Sequence, residues 1–254
     1  NSQFPIDIYW LDEKEGNPNL KPQKGIDYIL GMERKLSGDV RLKCETYYKD
    51  LKDLILEDKE ENFLNKGKGK AYGFEVFLQK KEAKRLDGWI SYAWSVSKRQ
   101  RGDSEHSLEN GTTEGIFDDP KLYPTEQDRR HTLSIVGNYK LSPKWRLSAS
   151  WRFNTGNPYT PLIDVSECAS GTTTLYKPIW GEYNSGRMPN YQVLDVKIER
   201  LFKIKGMDCS NYLQLLNLYN HKNIYGYYYS DDYKERKESK MLPFMFLGGF
   251  EMRF

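Results

Sequence analysis

The chain has 254 residues, with 39 Lys and Arg against 36 Asp and Glu and a formal net charge of +3, a balance that excludes a dedicated nucleic-acid binder, whose basic residues dominate and cluster. Hydrophobic residues make up 38% and charged residues 30%, and the mean hydropathy is -0.80. No stretch reaches the roughly 18 apolar residues that a spanning helix needs, which excludes a helical membrane protein.

Taken in chain order, nine segments of roughly ten residues alternate in polarity, the period-two signature of a strand. They cover residues 27–36, 40–49, 70–81, 89–98, 131–141, 145–154, 191–202, 211–219 and 243–254. In the second, Arg41, Lys43, Glu45 and Lys49 alternate with Leu42, Cys44, Thr46 and Tyr48. The fifth is the clearest. Leu133, Ile135, Gly137, Tyr139 and Leu141 share one face, and Thr132, Ser134, Asn138 and Lys140 the other, with Val136 the exception. In the sixth, Trp145, Leu147, Ala149, Trp151 and Phe153 oppose Arg146, Ser148, Ser150, Arg152 and Asn154. The last carries Phe244, Phe246, Phe250, Met252 and Phe254 on one parity.

The connections alternate too. Short ones at residues 37–39, 82–88, 142–144 and 204–208 separate longer ones at 50–69, 99–130, 155–190 and 230–242. In an up-and-down barrel alternate connections fall on the same rim, and outer-membrane barrels keep short turns periplasmic and long loops outside. A soluble β-sandwich also has alternating strands, but turns its polar faces outward. Aromatic placement favours the barrel, because Tyr139 and Trp145 flank a short turn while Trp151 and Phe153 sit toward the opposite strand end, as interfacial girdles do. Charges within strands would then face a watery lumen.

A family resemblance follows from motifs in order. Asn17-Pro18-Asn19-Leu20-Lys21-Pro22 precedes Asp27-Tyr28-Ile29-Leu30-Gly31-Met32-Glu33. Tyr47 to Ile55, Gly73-Phe74-Glu75-Val76, Asp128-Arg129-Arg130-His131, Gly156-Asn157-Pro158-Tyr159-Thr160-Pro161, Leu194-Asp195-Val196 and Asn217-Leu218-Tyr219-Asn220 come next. Together they resemble the C-terminal β-barrel region of TonB-dependent outer-membrane receptors across essentially the whole chain. One departure is Gln192-Val193, where the family often has His-Arg.

The resemblance implies an all-β, antiparallel up-and-down transmembrane barrel in the Gram-negative outer membrane, with residues 1–254 forming one C-terminal barrel unit. It implies TonB-energised uptake of a scarce nutrient such as an iron-siderophore, cobalamin or glycan. The partners would be outer-membrane lipid and lipopolysaccharide, the transported small molecule or glycan, and TonB, reached through a plug domain outside these residues. Receptors of this kind close with about 22 strands, so nine are a wall segment. The alternative is a small β-barrel or β-sandwich surface binding or adhesion protein.

No chemistry-bearing constellation emerges. His106, His131 and His221 lack ligand spacing, and Cys44, Cys168 and Cys209 form no close pair. No enzyme activity, metal or cofactor is expected. Asp103, Glu105, Glu109, Glu114, Asp118 and Asp119 read as a solvated loop, since they fit no calcium-loop spacing. Ligand contacts are expected at Tyr159, Tyr176, Trp180 and Tyr183 in the loop 155–190, with packing of that loop against itself or lipopolysaccharide as the competing role. The run Tyr225, Tyr227, Tyr228 and Tyr229 is expected to extend its strand as an interfacial belt, and Phe254 to end the closing strand.

Overall fold

In the computed structural model, residues 2–3, 16–58, 62–81, 85–100, 121–170 and 173–253 are described. They form β1 (Ser2–Gln3), β2 (Lys24–Lys35), β3 (Val40–Asp58), β4 (Asn62–Lys80), β5 (Leu86–Arg99) and β6 (Tyr123–Pro124). Then follow β7 (His131–Ser142), β8 (Trp145–Asn154), β9 (Pro158–Tyr159), β10 (Leu162–Ser170), β11 (Thr173–Trp180) and β12 (Gly186–Arg187). The chain continues through β13 (Tyr191–Ile204), β14 (Met207–Leu216), β15 (Ile224–Tyr229), β16 (Arg236–Lys240) and β17 (Met245–Arg253). There is no helix among the described residues.

One antiparallel sheet carries the fold, in the order β1-β2-β3-β4-β5-β7-β8-β13-β14-β17, with β6 on β5. Its nine long strands are the nine expected from periodicity, each beside its sequence neighbour. Phe254 lies outside the described residues. The sheet does not close on itself: β2 beyond Gly25 and the outer side of β17 have no partner strand among the described residues.

The register explains the alternation. Leu42, Leu78, Ile90, Ile135, Trp151 and Leu194 lie opposite one another across six successive strands. One residue along, Ser91, Ser134, Arg152 and Val193 form a row on the other face. Because side chains alternate along each strand, one face is apolar through the middle of the sheet and the other holds most of the charges, with exceptions such as Arg34 and Arg200 near the strand ends. The charges of the polar face pair with each other: Asp27 with Lys49 at 3.6 Å, Glu33 with Arg41 at 3.2 Å and Glu199 with Lys197 at 3.2 Å.

The apolar face is the uncovered one. Leu30 is 74% exposed, Met32 59%, Phe246 71% and Phe250 56%, whereas among the described residues the buried hydrophobic ones are only Leu20, Val96, Tyr123, Val193 and Cys209. Each large side chain left in water forgoes about 1.5–3 kcal/mol. A soluble sheet would cover this face and present the polar one, so the sandwich alternative fails on the surface that separates the two architectures. Lipid is the solvent this face fits.

The structure departs from the alternation pattern in one hairpin. β3 and β4 each run 19 residues, so most of the expected connection 50–69 is strand. At about 3.3 Å per residue this is roughly twice the 9–11 residues needed to cross a membrane, and the hairpin projects beyond it. The period is hidden because the register shifts between Leu51 and Ile55, where Asp53 takes φ 56°. A bulge swaps the faces, which breaks the pattern a sequence reader follows. The Asn17 to Pro22 segment braces this projection, with the Asn17 side-chain amide donating to the Phe63 carbonyl at 2.8 Å and the Lys21 N–H to Asn65 Oδ1 at 2.6 Å.

At the opposite rim the turns are tight. Lys205 (φ 48°) and Gly206 (φ 88°) link β13 to β14 in the left-handed conformation that two-residue hairpins favour.

Candidate functional site

The long-loop rim is fixed by two polar knots built from the motif residues. In the first, the Asp128 carboxylate is fully buried, accepts the Ser97 N–H at 2.7 Å, and pairs with Arg130 at 3.1 Å and with Arg187. Arg187 also donates to the carbonyls of Asp128 and Gly156. Thr155 Oγ1 accepts the His131 N–H at 3.0 Å, and Arg129 Nε donates to Asn157 Oδ1 at 2.6 Å. Gly156 is required sterically, since a Cβ there would lie 1.6 Å from the Met188 carbonyl oxygen. The Asp128 and Gly156 motifs, remote in sequence, are thus parts of one assembly.

In the second knot Asp195 accepts the Asn217 N–H and pairs with Arg152, both at 2.9 Å. Asn217, at φ 50°, ends the run of β14, and its side-chain amide accepts the His221 N–H and donates to the His221 carbonyl. Asn223 bonds the Gln192 main chain twice, accepting its N–H at 2.9 Å and donating to its carbonyl at 2.8 Å. Gln192 therefore serves this knot through its backbone, which the departure from His-Arg leaves unchanged.

Sequence-predicted residues gather above these knots. β10 pairs with β11, and β15 with β16, as separate two-stranded sheets projecting from the wall. The tyrosine run does not extend β14, because Asn217 in the left-handed region turns the chain away at Leu216. Instead Tyr227 packs edge-on against Tyr159 at 5.1 Å, and Tyr229 and Tyr233 against Trp180 at 5.7 and 6.5 Å. Tyr176 lies under the Lys234 ammonium at 4.9 Å, and Lys234 pairs with Glu167 at 2.8 Å. Tyr183 stands apart, against Tyr123 at 6.0 Å. Two of the four candidate rings, Tyr176 and Trp180, thus brace one hairpin against the other, and Tyr159 joins the short β9–β12 ladder to the second hairpin. Tyr225 and Tyr228 stay open to solvent. Trp151 stacks on Phe153 and donates its indole N–H to the Tyr219 hydroxyl at 3.0 Å.

Electrostatics at the hairpins follow from these contacts. The Glu167 carboxylate holds the Lys234 ammonium pKa above its usual value, and burial raises that of the Tyr227 phenol. The Ser230 hydroxyl and the Lys234 N–H lower the pKa of Asp232 below 3.8. A depressed carboxylate stabilises the fold above its unfolded pKa and loses that contribution as pH falls through its folded value. The turn 230–235 is therefore expected to be intact at neutral pH and to fray only below pH 3.8, read as amide exchange at Lys234 and Glu235.

A cleft of 360 Å³ opens between the knots, lined by Arg129, Arg152, Asn154, Met188, Tyr191 and Met241 among others. Sequence reading missed it, since its walls come from five separate segments. It also missed Arg187, which carries no signal within a long loop. Among the described residues no three His, Cys, Asp or Glu side chains come together as metal ligands. His106 and the acidic residues from Asp103 to Asp119 lie outside the described residues.

An outward apolar face, an ion-paired polar face, tight turns at one rim and structured loops at the other define the wall of an outer-membrane β-barrel. The sequence matches the family described as TonB dependent receptor-like, beta-barrel over residues 7–221, and the chain belongs to that family. It is a protein of the Gram-negative outer membrane. No curated protein matches it in sequence. Solved structures with a similar fold include the ferric-catecholate import receptor Fiu from Escherichia coli, with TM-score 0.58, 12% identity, and coverage of 95% of this chain and 29% of that one. The outer membrane transporter YddB from Escherichia coli has TM-score 0.60, 12% identity and coverage of 95% and 35%. The ferripyoverdine receptor of Pseudomonas aeruginosa, bound to ferripyoverdine, has TM-score 0.57, 14% identity and coverage of 91% and 27%. The chain thus spans about a third of the length of these receptors.

Proposed function

We propose that the chain is the C-terminal barrel unit, residues 1–254, of a receptor that imports a scarce nutrient across the outer membrane using energy relayed by TonB. The observation that carries this reading is the continuous ion-paired polar face, which makes a water-filled lumen wall, opening onto a rim of braced aromatic hairpins. Family membership and the ferric-siderophore receptors among the similar structures support the transport class. In this reading the wall and loops guide substrate, a plug domain gates the passage and contacts TonB, and lipid and lipopolysaccharide surround the apolar face. The protein performs transport and no covalent chemistry. Tyr176 and Trp180 act on the ligand mainly by holding the two hairpins as one surface, Tyr159 by holding the second hairpin to the β9–β12 ladder, and Tyr183 by direct contact.

The test is a deletion strain grown on single iron, cobalamin or carbohydrate sources. One source is expected to fail in the deletion and to be restored by the gene, with uptake of the labelled compound dependent on TonB. Unchanged growth and uptake on every source would refute the receptor reading.

A further inference from the structure

Two polar side chains on the apolar face, Arg200 and Asn211, have no side-chain hydrogen-bonding partner among the described residues. They lie directly opposite each other, flanked by Trp145 and Phe250, in one row across β8, β13, β14 and β17. Alternation from Leu194 puts Arg200 on the face of Ile198 and Phe202, while its chain neighbour Glu199 turns to the polar face and pairs there with Lys197. The exposed guanidinium is held beside the Trp145 and Phe202 rings, 5.8 and 6.0 Å from their centroids. No carboxylate pairs with it among the described residues, whereas Arg146, Arg152 and Lys197 on the polar face each have one.

Depth decides what this guanidinium meets. β13 ends at Ile204, just beyond Arg200, and Trp145 opens β8 directly after the turn 142–144, so the row stands at the short-turn rim. That rim is periplasmic in outer-membrane barrels, and an arginine on the lipid face is cheap only near such an interface. Its planar donor fork suits the paired oxygens of a phosphate, the group that inner-leaflet phospholipids carry at this level. One step toward the membrane centre, Gly248 leaves a gap between Phe246 and Phe250, which are 71% and 56% exposed. A Cβ at Gly248 would meet only the Tyr212 carbonyl oxygen, at 3.6 Å, so the gap is open and is not needed for packing. Around Arg200 on this face the neighbouring register positions hold Trp145, Ile198, Phe202, Asn211 and Leu213 and no acidic residue. An ammonium headgroup would find no partner there.

Resting on the barrel reading but not on what the receptor transports, we propose that Arg200 and Asn211 form a binding site for an anionic glycerophospholipid of the inner leaflet. The guanidinium takes the phosphodiester oxygens, the Asn211 amide donates to a neighbouring oxygen of the headgroup or ester, and one acyl chain lies in the Gly248 gap between the two phenylalanines. Phosphatidylglycerol meets all three conditions. Phosphatidylethanolamine shares the phosphate but brings an ammonium that this face leaves unmatched.

The test is native mass spectrometry of the full-length protein in detergent, titrated with phosphatidylglycerol, phosphatidylethanolamine and lipopolysaccharide, and with glycerol 3-phosphate as a competitor lacking acyl chains. Phosphatidylglycerol is expected to bind most tightly, and glycerol 3-phosphate not to displace it. Arg200→Gln is expected to weaken phosphatidylglycerol binding about tenfold, the loss of one charge-assisted contact, with Arg200→Lys intermediate. Gly248→Leu, which fills the gap with an apolar group and leaves the charge in place, is expected to weaken it as well. Lys203→Gln removes the same charge at the same rim but on the polar face, where Lys203 pairs with Asp208, and should bind as the unmodified protein does. Folded mobility of each variant is checked first, and Gly248→Leu carries the test alone if Arg200→Gln does not assemble. Tighter binding of phosphatidylethanolamine or lipopolysaccharide, displacement by glycerol 3-phosphate, or binding indifferent to Arg200→Gln and Gly248→Leu would overturn the proposal. Loss of the receptor reading in the growth and uptake test would leave this site standing, since the lipid titration involves no transported compound.

Discussion

Ile135→Arg is expected to abolish assembly into the outer membrane, whereas Ser134→Arg, one residue away, is expected to be tolerated. Ile135 sits mid-strand between Ile90 and Trp151 on the uncovered apolar face, with Leu78 and Leu194 beyond them in the same row. An arginine at that depth costs about 2–4 kcal/mol on the lipid side of a barrel. Native proteins hold only about 5–15 kcal/mol in total, so this is a large fraction of the margin. Ser134 lies between Ser91 and Arg152 on the polar face, where a further guanidinium meets water. Heat-modifiable mobility of the membrane-extracted full-length protein separates the outcomes: Ile135→Arg should appear only as the unfolded form and Ser134→Arg as the folded one. Equal assembly of both variants would contradict the assignment of faces.

The second large effect concerns the rim. Asp128→Asn keeps the shape of the side chain but removes the charge that Arg130 and Arg187 share, in a position with no solvent exposure. Breaking a buried ion pair by neutralising one partner costs about 3–5 kcal/mol, and the lower end applies here because the two arginines are about one-third exposed. The loss should fall on the loops and spare the wall, since Arg187 anchors the loop 155–190 while the sheet pairing does not use Asp128. Limited proteolysis is expected to cut within residues 155–190 in the variant and not in the unmodified protein, with folded mobility retained. Gly156→Ala should give the same pattern, because its Cβ would meet the Met188 carbonyl that packs against it. An uncut loop in both variants would show that the knot does not hold the rim.

The wall was legible because period-two alternation states register and face together. Leu133 to Leu141 displays both in one segment, and the paired strands only repeat it. Where a bulge breaks the period, as at Asp53, the strand was read as a loop. The loop hairpins were not legible for a different reason. They do not line a membrane, so nothing enforces alternation on them, and Cys168 faces Leu175 as readily as Glu167 faces Tyr176. The tyrosine run looked like strand because tyrosine suits strands. What diverts it is the left-handed conformation of Asn217, a backbone property that an asparagine permits without announcing. Candidate rings Tyr159 and Trp180 were identifiable by residue type, but their partners Tyr227 and Tyr229 come from a separate hairpin much further along the chain. Asp128 and Asp195 were visible as motif members only. Their role as buried anchors depends on arginines from other strands and loops.

The central claim, that the apolar face of this sheet meets lipid and the polar face meets water, is tested most directly by spin labels placed singly at residues 132–139 of the full-length protein in outer-membrane vesicles. Labels at Leu133, Ile135, Gly137 and Tyr139 should collide mainly with dissolved oxygen, and labels at Thr132, Ser134, Val136 and Asn138 mainly with a water-soluble nickel chelate. A pattern of the opposite phase, or labels at Leu133 to Tyr139 shielded from both reagents as in a packed soluble core, would contradict it.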